Sequence, residues 1–207
     1  MLKLYITRHG ETEWNVQKRM QGWGNSELTD NGVENARILG ESLKATAFDA
    51  VYTSPSKRTR KTTELILGDR ELPVTYEEKL KEINVGDWEG QTKEFIEENY
   101  GDAYHSFFNT PHLYESFNGE SFFELRERVE EFLEQLKRTH SSGNILIVTH
   151  SVFIKSLLAV MKELPVEKLW GPPYIQDTSL SIVELDGEAY NVMVEGDVSH
   201  KENPLEA

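Results

Sequence analysis

The 207-residue chain contains no cysteine. Disulfide bonds and metal sites with thiolate ligands are therefore excluded, and such a composition is typical of proteins of the reducing cytoplasm. No apolar run approaches the roughly 20 residues that cross a membrane. Lys3 is the only charged residue before the first strand-like run, which does not resemble a targeting segment. We therefore expect a cytoplasmic protein with no membrane partner.

Basic residues are also scarce. The 22 lysines and arginines stand against 36 aspartates and glutamates, which gives a formal net charge of -14. A surface of this charge repels nucleic acids and anionic membranes, so neither is expected as a partner. A small anionic molecule is compatible with it, because a local cluster of arginine and histidine in a cleft outweighs distant, salt-screened charges. Composition leaves the oligomeric state open.

Strand-like and helical patterns alternate along the chain, which indicates an α/β fold. The predicted strands cover residues 4–7, 48–54, 72–76, 144–149, 180–185 and 189–194. The predicted helices cover residues 30–44, 55–67, 92–100, 121–140 and 151–161. Because residues 144–149 are apolar almost without interruption, we expect a central parallel strand that is buried on both faces.

Local signals predict where several of these elements begin and end. In chain order they are Thr29 or Asp30 as an N-cap, Pro55 in the first turn of a helix that ends at Gly68, Ser121 at a capping box, Gly143 at the end of the same helix, and Asp186-Gly187 as a hairpin turn. The polar tail of residues 200–207 is expected to fray.

Two of the predicted strands end in a histidine, His9 and His150. Ligands of open α/β sheets bind at the carboxyl ends of strands, so we expect both histidines in one cleft. Beside them, Arg8 offers a planar fork for phosphate oxygens, and Gly10 permits close approach of the backbone to a ligand. His9 is suited to act as a nucleophile or an acid/base. Structural histidines and a metal site remain alternatives, the latter less favoured because no i, i+4 histidine pair and no cysteine is present.

The segment Thr7-Arg8-His9-Gly10-Glu11-Thr12 resembles the signature of the histidine phosphatase superfamily, which includes the cofactor-dependent phosphoglycerate mutases. Further motifs follow in the family's order: Asn15 with Arg19-Met20-Gln21-Gly22, Leu28-Thr29-Asp30-Asn31-Gly32, Ser54-Pro55 with Arg58, Glu82, Gly119-Glu120-Ser121 and Val148-Thr149-His150. The match covers nearly the whole chain. It implies a single domain over residues 1–207 with a cap insertion at residues 85–120. The implied fold is a three-layer α/β/α sandwich with a mostly parallel sheet, an antiparallel edge and a small helical cap.

The resemblance also implies how a phosphoryl group is held. His9 would attack phosphorus and carry the phosphoryl group as a phosphohistidine. Arg8, Arg58 and His150 would surround its oxygens, and Asn15 would donate a further hydrogen bond. Taken alone, Arg58 lies in a run of four bases that is typical of a solvated helix face.

Further positions follow from the same resemblance. Glu82 would protonate the leaving oxygen and then deprotonate the attacking water, although a lone glutamate is by default an exposed surface acid. Gln21, Gly22 and Ser151 would contact the phosphate or the rest of the substrate. Ser151 stands where the family often has glycine. No metal and no other cofactor is implied, and the partner would be a small phosphate ester.

Three functions are compatible with this reading. The favoured one is a phosphomonoester hydrolase of broad specificity that works through a phosphohistidine. The first alternative is a cofactor-dependent phosphoglycerate mutase, and the second is a non-catalytic binding protein on the same fold. Family mutases are usually longer and carry basic residues between the glutamate and the second histidine. The matching residues for catalysis are all present here, which disfavours a binding protein.

The predicted cap has an unusual composition. Residues 85–120 hold eight aromatic residues and eight acids, with Lys93 as the only lysine or arginine. One interpretation is that this segment selects apolar or aromatic leaving groups without a second negative charge. The alternative is that the aromatics form a small core of their own while the acids face water.

Overall fold

The computed structural model describes residues 1–201, which form one six-stranded sheet with helices on both faces. Its strands are β1 (Leu2–Arg8), β2 (Ala50–Thr53), β3 (Val74–Tyr76), β4 (Gly143–Thr149), β5 (Leu180–Asp186) and β6 (Ala189–Asp197). Their order across the sheet is β3-β2-β4-β1-β5-β6. The first four strands are parallel, and β5 and β6 add an antiparallel edge. The predicted α/β fold is confirmed, and β4 lies inside the parallel part as expected.

The described helices match most of the predicted ones. They are α1 (Glu13–Val16), α2 (Asp30–Ser42), α3 (Lys57–Leu67), α4 (Lys93–Asn99), α5 (Gly101–Asn109), α6 (Phe122–Thr139) and α7 (Ser151–Met161). Short 3-10 turns lie at Glu78–Leu80, Gly86–Trp88, Pro111–Leu113, Val166–Lys168 and Ser199–Lys201. Thr29 caps α2, and Ser121 caps α6 through the predicted capping box with Glu124. No sequence signal indicated the short helix α1.

The two faces of the sheet are covered by different helices. Along β4, Ile145 and Ile147 pack into a core with α6, α7 and the cap. Leu146 and Val148 point the other way, into a second core formed with α2 and α3. Successive side chains of a strand alternate between faces, so a strand that is apolar at every position needs a layer on each side. The result is the three-layer arrangement.

Two of the predicted boundary signals flank α3. Gly68 ends the helix as expected, with a φ of 54°. The prediction for Pro55 was wrong, because α3 begins later and its N-cap is Ser56, whose hydroxyl accepts a hydrogen bond from the backbone N–H of Thr59. Pro55 therefore shapes the loop that leads from β2 into the helix.

Two further signals were displaced by tertiary contacts. Gly143 was expected to end α6, but it begins β4 at a φ of 109°, where a Cβ would lie 2.6 Å from the Asp49 carboxylate. The hairpin is present, but Asp186 pairs with Ala189, so its two-residue turn is Gly187-Glu188. The turn is thus one residue later than predicted.

The cap segment is helical, with a 3-10 turn before α4 and another after α5. Its centre is Trp88, which is fully buried and lies 5.5 to 6.5 Å, between ring centroids, from Tyr100, Tyr104, Phe107 and Tyr114. These rings join the core beneath α6 and α7. Most of the cap's aromatic residues therefore serve packing, as the second interpretation of its composition held.

The tail could be compared with its prediction only in part. Ser199–Lys201 form a 3-10 turn, and Lys201 Nζ lies 3.1 Å from the Asp177 carboxylate. Residues 200 and 201 are therefore held against the body of the domain, contrary to the expected fraying, while 202–207 lie outside the described residues. Across residues 1–201, no helix has both the length and the apolar character needed to cross a membrane.

Candidate active site at the strand ends

The ends of β1 and β4 bring two histidines together. The strands pair in parallel with Arg8 opposite Thr149, and the His9 N–H donates to the Thr149 carbonyl at 3.0 Å. The rings of His9 and His150, one residue beyond each strand, have centroids 5.3 Å apart. The two histidines are therefore neighbours at one edge of the sheet, as expected.

His9 is held as a neutral imidazole with one free nitrogen. Its Nδ1 lies 2.8 Å from the Gly10 carbonyl oxygen. Since a carbonyl can only accept, Nδ1 carries the proton and Nε2 keeps its lone pair. Burial lowers the pKa of His9 well below the ordinary value of 6.5, and the charges of Arg58 and Arg8 lower it further. The uncharged ring is the form that a nucleophile requires.

Two buried guanidinium groups stand beside His9. Arg8 donates through Nη1 to the Ile175 carbonyl at 2.9 Å, and Arg58 donates to the carbonyls of Gly24 and Gly22 at 2.6 and 2.8 Å. Each has a buried Nε with no hydrogen-bond partner among residues 1–201. Such orphaned donors are rare in native proteins and suit an anion that accepts from both.

The burial of Arg58 tests the interpretation of the basic run in α3 as a solvated face. Arg58 is 2% exposed, so the solvated-face interpretation was wrong for this residue. Burial lowers the pKa of Arg58 to about 10, which leaves it protonated at neutral pH. Backbone carbonyls accept hydrogen bonds from one side of the charged guanidinium group, and the cavity lies on its other side.

His150 has partners at both ring nitrogens. Nδ1 lies 3.0 Å from Arg58 Nη2, and because arginine only donates, Nδ1 accepts. Nε2 then carries the proton and donates to Ser54 Oγ at 2.8 Å. Burial, followed by the charge of Arg58, lowers the pKa of His150 well below 6.5, which agrees with a neutral ring. In this arrangement His150 orients Arg58, and Ser54, which belongs to one of the sequence motifs but had no predicted role, is a member of the site.

The amide side chains predicted to bind substrate also face the cavity. Asn15 Oδ1 accepts from the backbone N–H and hydroxyl of Thr12 at 3.0 and 2.9 Å. Its NH₂ group is thereby turned away from Thr12. Gln21 is similarly anchored through its oxygen by Ser26 at 3.3 Å. Both residues can therefore present N–H donors to a bound anion.

Gly22 and Gly10 are glycines for reasons of packing. Gly22 has a φ of 50°, and a Cβ would lie 2.7 Å from both Glu89 and Val85. At Gly10, a Cβ would lie 2.5 Å from the Gly32 carbonyl, and its N–H donates to the Thr62 hydroxyl at 2.9 Å. Gly10 therefore lets the start of α2 pack against the end of β1, and its expected contact with a ligand stays a prediction.

Glu82 is buried at the N-terminus of α7. Its Oε1 accepts from the backbone N–H groups of Ile83 and Phe153, both at 3.0 Å. Oε2 accepts from the Val152 N–H at 3.1 Å and more distantly from Ser151 Oγ at 3.4 Å. A helix N-terminus favours an acid at this position. Glu82 is thus a positioned group of the cavity and not the exposed acid that its sequence context alone would suggest.

These side chains line a cavity of about 390 Å³. His150 does not line it and instead borders a neighbouring cavity of about 230 Å³ together with Ser54 and Glu82. The outer wall of the larger cavity consists of side chains for which the sequence predicted no individual role in the site: Lys18, Arg19, Lys93, Phe108, Trp170 and Tyr174. Lys93 could have been singled out from the sequence, because it is the only lysine or arginine of the cap segment. The others come from segments far apart in sequence.

Acidic and histidine side chains do not converge elsewhere in the described chain. Among residues 1–201, no group of three or more His, Asp or Glu side chains is arranged to hold a metal ion. The arrangement described above instead combines arginine, histidine and amide donors around one neutral nucleophile. That chemistry suits a tetrahedral oxyanion, and in particular a phosphoryl group.

Comparison with known proteins agrees with this chemistry. The model for the histidine phosphatase superfamily (branch 1) matches residues 4–197. Phosphoserine phosphatase 1 of Hydrogenobacter thermophilus is 30% identical over 194 residues, which cover 94% of this chain and 91% of the relative. The adenosylcobalamin/alpha-ribazole phosphatase of Escherichia coli is 32% identical over 169 residues, covering 82% and 83%. Relatives named probable phosphoglycerate mutase, from Salmonella strains, are 28% identical.

A solved structure extends the likeness to three dimensions. Bacillus stearothermophilus YhfR superimposes with a TM-score of 0.93 at 44% sequence identity, covering 97% of this chain and 99% of that one. A likeness over nearly the full length of both chains includes the sheet, both helical layers and the cap segment.

Proposed function

The chain belongs to the histidine phosphatase superfamily, and we propose that it is a phosphomonoester hydrolase that uses His9 as its nucleophile. The observation that carries the proposal is that His9, whose Nδ1 is bound to the Gly10 carbonyl, lines one cavity with the guanidinium groups of Arg8 and Arg58. A phosphoryl oxygen bound by these donors would place phosphorus next to a lone pair. The named phosphatases among the relatives support the same reaction class.

The first step forms a bond from His9 Nε2 to phosphorus and breaks the bond to the leaving oxygen. The leaving oxygen takes a proton from Glu82, for which we assign Oε2, the oxygen with the longer hydrogen bonds. The Gly10 carbonyl keeps the proton on His9 Nδ1 and offsets the positive charge that the phosphorylated ring acquires. Arg8 and Arg58 hold the charge on the phosphoryl oxygens.

In the second step a water attacks the phosphohistidine. Glu82 receives a proton from that water, the bond from nitrogen to phosphorus breaks, and inorganic phosphate leaves. Asn15 and Gln21 donate to the phosphoryl group in both steps, and His150 acts through Arg58. No step needs a metal ion, so activity should survive excess chelator. The cysteine-free composition supports a cytoplasmic location.

The proposal is tested with 4-nitrophenyl phosphate. We expect hydrolysis by the wild-type protein in the presence of EDTA and loss of turnover in His9→Ala. His105→Ala is the matched control, because His105 is an exposed histidine of α5 outside the cavity, and it should retain full activity. Activity that disappears with EDTA and returns with magnesium would contradict metal independence, and full turnover by His9→Ala would remove the nucleophile assignment.

A mutase reaction is the second candidate, favoured by one observation. Lys93, which lies between Glu82 and His150 in sequence, lines the cavity with Lys18 and Arg19, as a site for a second anionic group would require. Supplying 3-phosphoglycerate with and without its bisphosphate separates the two reactions. A phosphatase releases inorganic phosphate in both cases, whereas a mutase yields the 2-phospho isomer and depends on the bisphosphate.

A further inference from the structure

We propose that the outer half of the cavity is a leaving-group subsite for a flat apolar group that carries a negative charge, with Lys93 as the residue that recognises the charge. The proposal rests on the phosphomonoester hydrolase function and names the class of substrate for the same site. It reverses the expectation, drawn from the acids of the cap segment, that a second negative charge is excluded.

One wall of the subsite is aromatic. Phe108 and Trp170 have ring centroids 5.6 Å apart at an interplanar angle of 36°. Trp170 is fixed by its indole N–H, which donates to the Phe107 carbonyl at 2.5 Å. Tyr174 continues this wall and is 76% exposed. Aromatic rings beside a cavity offer a face on which a flat leaving group can stack.

The facing rim is basic, and backbone contacts hold it together. The Lys93 N–H donates to the Lys18 carbonyl at 3.2 Å, and Arg19 forms a bridge with Thr92. Arg19 is further held by the Gly90 carbonyl at 2.7 Å. Three basic side chains from two segments therefore meet at the cavity mouth, although the chain as a whole is strongly acidic.

Lys93 connects the rim to the aromatic wall. Its Nζ lies 5.8 Å from the centroid of the Phe108 ring, and within residues 1–201 no carboxylate oxygen comes within 4.0 Å of it. A group stacked on the wall would therefore lie within reach of an ammonium that has no acidic partner in the described chain.

None of the eight acids of residues 85–120 lines the cavity. Glu120 pairs with Arg128, Glu89 accepts from the Trp23 N–H, and Asp87 accepts from Asn118. Of the acids that do line the cavity, Glu82 belongs to the catalytic half. The others are Glu11, which accepts from Thr29 and Asn31, and Asp177, which pairs with Lys201.

The test compares three phosphates built on one ring: phenyl phosphate, 4-carboxyphenyl phosphate and 4-(aminomethyl)phenyl phosphate. For Lys93→Gln we expect kcat/KM of the carboxylated substrate to fall about fivefold more than that of phenyl phosphate, the scale of one solvent-exposed charge contact. Lys93→Glu should enlarge this difference and favour the cationic substrate. Both effects should shrink as salt is raised. Lys61→Gln on the outer face of α3 is the control, and it should change no ratio.

The outcomes separate this inference from the function on which it rests. Equal losses for all three phosphates in the Lys93 variants would overturn the subsite while leaving the hydrolase intact. If the wild-type protein hydrolyses none of the three, the proposed function itself fails. A second variant, Phe108→Leu, should lower the preference for phenyl phosphate over an alkyl phosphate, and an unchanged preference would remove the aromatic wall from the proposal.

Discussion

The inner and outer halves of the cavity are built in opposite ways. The inner half consists of His9, Arg8, Arg58 and Glu82, all at most 8% exposed and each anchored by backbone groups. In the outer half Lys93 is exposed and Tyr174 is 76% exposed. Buried groups with fixed hydrogen bonds can stabilise a transition state without reorganising, whereas exposed side chains adapt to different partners. Substitutions in the inner half should therefore change the rate for every substrate, whereas substitutions in the outer half should change the ratio of rates between substrates.

Glu82 is an exception to this rule, because its substitution should affect one class of substrate more than another. Among the side chains that assist the nucleophile, it has the largest expected effect. Glu82→Gln removes the proton donor but keeps the shape, so phosphorylation by alkyl phosphates should slow by about 10²- to 10⁴-fold. Aryl phosphates with good leaving groups need little proton donation and should lose much less in that step. Single-turnover rates with both substrate classes measure this.

The control for Glu82→Gln is Glu78→Gln, since Glu78 is exposed and paired with Lys81 on the preceding turn. It should leave the ratio between alkyl and aryl phosphates unchanged. Equal losses for both classes in Glu82→Gln would show that Glu82 does not donate the proton.

Arg58→Lys should lower kcat/KM by about 100-fold or more for all substrates alike. The variant keeps a positive charge but loses the planar fork that reaches the Gly22 and Gly24 carbonyls and the phosphoryl oxygens together. Arg60→Lys is the matched control from the same helix, where Arg60 is exposed and lies over the Tyr76 ring. A loss confined to one class of leaving group would place Arg58 in the outer half instead.

The pH dependence should show how the inner half keeps His9 uncharged. Because the pKa of His9 is lowered well below 6.5 by burial and by Arg58 and Arg8, the nucleophile stays neutral at pH values where an ordinary histidine is protonated. The acid limb of kcat/KM should therefore lie below 6.5. Arg58→Met removes one of the lowering charges, so its acid limb should move towards higher pH. Arg58→Lys, measured with the same substrate, should leave the limb in place, and identical limbs in both variants would contradict this account.

Ser151→Gly should have the smallest effect in the inner half. The Ser151 hydroxyl is 3.4 Å from Glu82 Oε2, a long contact, while three backbone N–H groups hold the same carboxylate at 3.0 to 3.1 Å. We expect a change in kcat/KM of less than about fivefold, the scale of one weak hydrogen bond. Larger losses would mean that the hydroxyl contacts the substrate directly.

Some features of the inner half could be predicted from the sequence and others could not. The strand ends, His9 with His150, and Arg58 were predictable because a short motif lies next to a strongly patterned strand or helix. The partners of these residues were not, since the Ile175 carbonyl that holds Arg8 and the Ser54 hydroxyl that holds His150 become neighbours only when the sheet assembles.

The composition of the outer wall could not be predicted, for a different reason. The composition of the cap segment averages over side chains that point in opposite directions, so its eight acids outweighed Lys93 in the sequence, although only Lys93 among its charged residues lines the cavity. Lys18 lies between the motif residues Asn15 and Arg19 without being a motif residue itself, and Trp170 comes from a segment with no motif. The orientation of each helix determines which of its side chains line the cavity, and composition carries no information about that orientation.

The central claim is that the inner half carries the reaction through a phosphoryl group on His9. Rapid acid-free quenching after mixing with ³²P-labelled substrate, followed by peptide mapping, tests it most directly. We predict an acid-labile, alkali-stable label on the peptide that contains His9, formed before phosphate is released and absent in His9→Ala. Turnover without any labelled protein in the wild type, or a label that persists in His9→Ala, would contradict the account.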